Sequence, residues 1–345
     1  MDAPMPVLGP DERPVHAVES GECIMKRRDF LTASALAGVA TVCGAQRVAA
    51  QGQAARDSWM PKLTPPERPA ELNLCLQWWA IPGNEMNEKL DFLEANGFAA
   101  VEIPSGDWPI KNGEAMIEAL KGRKLFLSTA CGPSDFSYAE VEKREAEVQK
   151  FLPVIEALGK MKSVGLIICP ARDKLSEPGR LSAKELRKDF VENTGKRLAQ
   201  HAAKHGTSIV LEPLRRHETP FLRQVADGAR IAADIGPGAS VMGDFWHMAL
   251  EETSFMGAFI CAGSLLTHVH IAGLKERIIP GVHPEADQYV DGFKGLKLLG
   301  YRGAVSFEGG WPKNPADAKK EIPQEEKIRL IRNMVKLLRE QWAMA

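Results

Sequence analysis

Ser208-Ile209-Val210-Leu211-Glu212-Pro213-Leu214, Ser240-Val241-Met242-Gly243-Asp244, Leu266-Thr267-His268-Val269-His270-Ile271 and Ala304-Val305-Ser306-Phe307-Glu308 are short apolar runs that each carry a carboxylate or an imidazole near the C-terminal end. Four similar runs precede them, at Leu72 to Trp78, Ala99 to Ile103, Leu125 to Thr129 and Val164 to Cys169. Longer segments of helical period lie between the runs, the pattern of repeated βα units and a parallel sheet. Eight strands is the number that closes a (β/α)8 TIM barrel, so the sequence predicts one α/β domain over residues 71–345.

The intervening stretches read as helices at Asn87 to Asn96, Tyr138 to Leu158, Ala183 to His205 and Phe293 to Leu299. Each is followed by a glycine, Gly97, Gly159, Gly206 or Gly300, the residue expected just past a helix C-terminus. A final amphipathic stretch, Pro323 to Trp342, closes the outer ring. The alternative is an open doubly wound sheet, which would carry a Gly-rich phosphate turn after its first strand. Trp78-Trp79-Ala80-Ile81-Pro82 is nothing like one.

Ahead of the barrel, Met25-Lys26-Arg27-Arg28-Asp29-Phe30-Leu31 runs into an uncharged stretch, Leu31 to Ala45, and Val48-Ala49-Ala50 offers small residues for a signal peptidase. This resembles a twin-arginine (Tat) signal peptide. Residues 1–50 are therefore expected to be a removable extension and 51–70 a linker. The mature start is expected near Gln51, Met25 is a second candidate initiator, and a periplasmic or otherwise exported location, reached through the Tat machinery, is expected. The apolar run is too short for a stable membrane span.

A formal charge of −1 over 345 residues gives no field that favours a polyanion, and no nucleic-acid partner is expected. Six cysteines show no CxxC or CxxH spacing. Cys75, Cys131, Cys169 and Cys261 lie in or beside apolar runs and read as small buried side chains. Self-association is left open.

Active sites of such barrels are built at the C-terminal ends of the strands. Glu212, Asp244, His270 and Glu308 close four successive runs and are expected to converge at the barrel mouth. Three buried carboxylates do not stay ionised together without a cation between them. Three oxygen donors and one imidazole suit Mn²⁺, Mg²⁺ or Co²⁺, with open positions for substrate oxygens, rather than a closed tetrahedral zinc.

The segments Glu212-Pro213-Leu214-Arg215-Arg216-His217-Glu218-Thr219 and Asp244-Phe245-Trp246-His247-Met248-Ala249-Leu250-Glu251-Glu252, with the His-Val-His of the seventh run, resemble the ketose 3-epimerase and hydroxypyruvate isomerase branch of the xylose-isomerase-like barrels. The resemblance implies a metal site of Glu212, Asp244, His270 and Glu308, with Glu212 and Glu308 also the acid/base pair. It implies substrate binding by Glu218, His247 and Arg277. Arg215 stands where that branch usually has Asn, and Gly273 where an acidic residue often follows.

The expected activity is metal-dependent isomerisation or epimerisation of a sugar or keto-sugar, by proton transfer through an enediolate. Trp78, Trp79, Trp108 and Trp311 follow strand ends and are candidates to stack on a sugar face. An exported lyase or hydratase that cleaves 3-keto-glycosides by β-elimination is the alternative, and a non-catalytic sugar-binding barrel is the second. Endonuclease IV-like barrels need more metal ligands and a basic face, and neither is visible in the sequence.

Overall fold

The computed structural model describes residues 66–172 and 175–345. The expected signal segment at 1–50, with Cys23 and Cys43, and most of the linker at 51–70 lie outside the described residues. Strands β1 (Asn73–Gln77), β2 (Ala100–Pro104), β3 (Phe126–Cys131), β4 (Gly165–Ile168), β5 (Ser208–Leu211), β6 (Ala239–Asp244), β7 (Leu266–Ile271) and β8 (Ala304–Phe307) pair in chain order, and β8 returns to β1. The β1–β8 ladder runs from Asn73 with Ala304 to Leu76 with Phe307, so the sheet is closed and the open-sheet alternative is excluded.

Ten α-helices are described: α1 (Met86–Ala95), α2 (Trp108–Leu120), α3 (Val141–Lys160), α4 (Ala183–Glu192), α5 (Thr194–Lys204), α6 (Val225–Ile235), α7 (Phe245–Glu251), α8 (Phe255–Ala262), α9 (Val290–Leu298) and α10 (Gln324–Met344). The main core lies between sheet and helices, where Leu76, Val101, Leu127 and Leu166 meet Leu90, Phe151, Leu198, Phe293 and Leu338. Among the described residues, no helix is long and apolar enough to cross a membrane.

Three local expectations are corrected. β5 stops at Leu211 instead of reaching Leu214, because Pro213 has no N–H for the ladder, and Leu214 N donates to Leu222 O instead. The segment read as one helix from Ala183 to His205 is two, divided at Asn193, whose φ and ψ of −134° and −85° are not helical. The Phe190 ring fills the space beside Gly195, where a Cβ would lie 2.6 Å from it. Gly159 is not a cap: α3 continues through it to Lys160, and its missing side chain serves packing against His205.

Strand periodicity decides what faces the barrel axis. Successive side chains alternate, so residues two apart share a face. Small inner clusters of Cys75, Ala100 and Ala304, and of Ile167, Val210 and Met242, fill the barrel below its mouth. Two residues further along each strand lie Gln77, Glu102, Cys169, Glu212, Asp244 and Ser306, and Glu308 follows Ser306 in the same phase.

Candidate active site

Glu212, Asp244, His270 and Glu308 come together at the C-terminal ends of β5 to β8, where one ligand atom from each lies within 4.8 Å of all the others. Glu212, Asp244 and His270 are buried, and Glu308 keeps 21 % of its side chain open to the mouth. Asp244 is also the N-cap of α7 and accepts from Trp246 N at 2.9 Å, which fixes its carboxylate. In the β6–β7 ladder it lies opposite His270, and His270 lies opposite Ser306 on β8.

His270 is held from behind. Its Nε2 lies 3.0 Å from both carboxylate oxygens of Glu102, a fully buried residue of β2. Its Nδ1 faces Glu308 Oε2 at 2.9 Å and Glu212 Oε1 at 3.6 Å, yet has no hydrogen-bond partner. Glu102 also meets His268 Nε2 at 2.9 Å and accepts from Gln77 Nε2 at 2.9 Å. Gln77 in turn accepts from Trp79 Nε1 at 2.7 Å, so a polar chain runs from an exposed indole to the back of His270.

Burial works against every charge in this cluster, and partners outweigh it. Burial raises the Glu212 carboxyl, but His270, His247 and Arg277 pull it down to about 2. Glu102 is held well below the carboxylate range against its burial by His270 and His268. Burial lowers His270, but Glu102 and Glu308 raise it well above an ordinary histidine. Arg277 Nη2 bonds Asp244 Oδ2 at 2.8 Å and Glu308 Oε2 at 2.5 Å, so a guanidinium and an imidazolium compensate the carboxylates.

The donor set fits a divalent ion. Three carboxylates and one imidazole suit a hard or borderline cation. Ligation needs a neutral Nδ1 on His270, the orphaned atom that faces the carboxylates, with the remaining ring proton held at Nε2. Glu102 supplies that outer partner, as carboxylates commonly do for metal-bound histidines.

The three expected substrate-binding residues surround the same point. His247 Nε2 is 3.3 Å from Asp244 Oδ2, and Arg215 N donates to His247 Nδ1 at 3.3 Å. Glu218 lies 3.8 Å from that ring and accepts from Arg215 Nε at 2.9 Å, while the Arg215 guanidinium covers Trp246 at 4.7 Å. The departure at Arg215 therefore places a cation on Glu218. Arg277 sits in a loop stitched to the end of β8 by Gly310 N to Arg277 O at 2.7 Å and Ile279 N to Gly310 O at 3.0 Å. Gly273 N bonds Ile278 O across the turn, and a Cβ at Gly273 would lie 2.8 Å from Glu276 O, so this turn has no room for an acidic side chain there.

The sequence reading missed Glu102, His268 and two thiols. Cys169 Sγ donates to Glu212 Oε2 at 3.1 Å, and Cys131 Sγ lies 3.9 Å from Glu308 Oε1. Burial first, and then the neighbouring glutamates, push both thiols well above the ordinary cysteine value, so they stay protonated donors. The reading of four buried cysteines fails at Cys261, which is exposed, and at Cys131, which is half-buried. Of the tryptophans, Trp78 packs on Trp108 with centroids 5.3 Å apart, whereas Trp79 is half exposed and meets Trp311 at 6.3 Å.

Residues 90–334 match the family described as xylose isomerase-like TIM barrel. A 3-dehydro-D-guloside 4-epimerase from Escherichia coli K12 is 30 % identical over 229 residues, covering 64 % of this chain and 86 % of that protein. An L-ribulose 3-epimerase from Methylomonas sp. is 31 % identical over 185 residues, 53 % of this chain and 62 % of the relative. Among solved structures, a 3-keto-D-glucoside 4-epimerase from E. coli superposes with a TM-score of 0.64 at 26 % identity, over 77 % of this chain and all of that one. On its closed barrel and these likenesses, the chain belongs to the xylose isomerase-like TIM barrel family.

Proposed function

We propose that the protein is a metal-dependent sugar epimerase that moves a proton at a carbon beside a ketone, with a 3-keto sugar or 3-keto-glycoside as its substrate class. The observation that carries this reading is the convergence of Glu212 and Glu308 with Asp244 and His270 on one point at the barrel mouth. The E. coli relative and the E. coli structure carry the names of 4-epimerases of a 3-dehydro-D-guloside and a 3-keto-D-glucoside, which favours a ketone-bearing substrate. The chain is accordingly an isomerase/epimerase in class. Glu212, Asp244, His270 and Glu308 would hold a divalent ion, taken as Mn²⁺, which would polarise the ketone and the neighbouring hydroxyl and so make the C–H between them more acidic.

The chain's own residues do the rest. Glu212 and Glu308 follow β5 and β8, which are separated by β6 and β7 around the barrel, so they approach the site from two sides. One carboxylate removes the carbon-bound proton and the other returns one to the opposite face, which inverts the centre. The Cys169 thiol donates to Glu212 and steadies its carboxylate. Arg277 and His247 stabilise negative charge on substrate oxygen as the proton leaves, and Glu218 accepts from a substrate hydroxyl. Trp79, exposed at the rim, offers a face for the ring.

Arg27-Arg28 and the apolar stretch after them support export through the Tat machinery to the periplasm, where glycosides are encountered. That location keeps elimination from a 3-keto-glycoside as the second reading, since it begins with removal of the same kind of proton. Incubation of free ketoses and 3-keto-glycosides in deuterated water, with metal content measured alongside, tests the proposal. Epimerisation places deuterium on the inverted carbon, elimination releases the aglycone, and turnover that retains the original hydrogen excludes both.

A further inference from the structure

At the far end of the barrel from its mouth, where α3 and α5 finish and lead into β4 and β5, a second group of ligand-type side chains meets. Glu156 on α3 and His201 and His205 at the end of α5 offer ligand atoms that all lie within 4.8 Å of one another. His201 and His205 are one helical turn apart and so share a face, with ring centroids 4.6 Å apart. The third side chain arrives because Gly159 lets α3 lie against the end of α5. A Cβ at Gly159 would collide with the His205 carbonyl and lie 2.8 Å from the His205 Cβ.

One atom in the group is out of place for a purely structural contact. His201 Nε2 is buried without a hydrogen-bond partner, although Glu156 Oε1 is 3.2 Å away. The two atoms are close, yet they make no hydrogen bond, which leaves the His201 lone pair or N–H without a partner beside a carboxylate. A buried unpartnered ring nitrogen is unfavourable, and a ligated cation relieves it.

We propose that Glu156, His201 and His205 form a second metal site, for a borderline transition-metal ion of the Zn²⁺, Ni²⁺ and Cu²⁺ class, independent of the barrel mouth. Two imidazoles and one carboxylate favour these ions over Mg²⁺ and Mn²⁺, whereas the mouth, with three carboxylates and one imidazole, suits the harder ions. The ion bridges α3 and α5 and leaves coordination positions for water. Its place at the N-terminal face of the strands, away from the catalytic end, gives it a role in holding the helical ring together.

Isothermal titration of the full-length, EDTA-treated protein with Zn²⁺, with bound metal counted by elemental analysis, tests this. The wild type is expected to bind one equivalent more than His201→Ala or His205→Ala, and both variants are expected to keep the wild-type far-UV spectrum and turnover. Glu156→Gln should weaken the step by at least about ten-fold, since even an outer partner of a ligand is worth that much. Asp244→Asn separates this site from the mouth, because it should lose the catalytic equivalent and retain the peripheral one. Bound Cu²⁺ should show nitrogen hyperfine structure in its electron paramagnetic resonance spectrum that His201→Ala reduces. Equal Zn²⁺ stoichiometry in the wild type and both histidine variants overturns the proposal.

Discussion

The division of labour between Glu308 and Glu102 is the sharpest residue-level consequence of the site. Glu308 faces the substrate side, with 21 % of its side chain open, whereas Glu102 is sealed behind His270. Glu308→Gln keeps an oxygen that can ligate but removes the basic group. It should lower solvent exchange of the substrate's carbon-bound proton by about two to four orders of magnitude, the usual worth of a positioned acid or base. Bound metal, counted by elemental analysis, should persist, and an exchange rate equal to wild type would remove Glu308 from the proton path. Glu102→Gln leaves the packing volume but weakens the grip on His270 Nε2. Metal affinity should then fall about 10- to 100-fold, with little change in KM at saturating metal. Unchanged affinity by titration would mean that His270 is oriented without Glu102. Neither Glu102 nor Cys169 ends its apolar run as a charged punctuation mark. Glu102 sits inside Val101-Glu102-Ile103 and Cys169 passes for a hydrophobe, so reading only for terminal charges overlooks both.

At the scale of elements, what was legible depends on the period that each element follows. The strands, with a period of two, put Cys75 and Gln77, Ala100 and Glu102, Ile167 and Cys169, and Val210 and Glu212 on the axis in alternating order. That rule locates inward residues on early strands as well as late ones. The later strands were legible because Glu212, Asp244, His270 and Glu308 are chemically conspicuous, and the early ones were not because Gln77 and Cys169 are bland. Helix limits failed where tertiary packing overrode local pattern, at the Asn193 break and at Gly159, which faces His205 instead of ending α3. α3 and α5 are also joined near their starts, where both Arg197 terminal nitrogens bond Glu145 at 2.5 and 2.9 Å. Arg197, with Gln149 beside it, lowers the Glu145 carboxyl from 4.5 to about 2. A depressed folded value means that the stability contributed is complete above pH 4.5 and is lost as pH falls toward 2. The pair is exposed, so the effect on acid unfolding is small. Arg197→Ala should return the Glu145 carbon-13 titration to the ordinary carboxylate range, and an unmoved titration would mean that the bridge does not form in solution.

For the whole molecule, the β1–β8 ladder that closes the sheet and the packing of α10 both lie within the described residues, and the extension ahead of them is expected to be dispensable for folding. A chain started near Gln51 should be soluble and turn over substrate like the full chain, and aggregation of the shorter chain alone would show that the extension packs on the barrel. Three carboxylates meet at one point only in the folded barrel, beside the two cations Arg277 and His270, so a divalent ion at the mouth should bind the native state and not the unfolded chain. Mass action then stabilises the fold by about 2.7 kcal/mol at a hundred-fold excess over Kd. On a domain of this size that raises the melting midpoint by about 4–8 °C. Mn²⁺ added to EDTA-treated protein should produce this rise, Asp244→Asn should abolish it, and His201→Ala should leave it intact because that residue lies in the other cluster. A midpoint that Mn²⁺ does not move, in protein whose circular dichroism is native, would show that the carboxylates are compensated by Arg277 and His270 alone. The proton transfer would then have to proceed on those two cations.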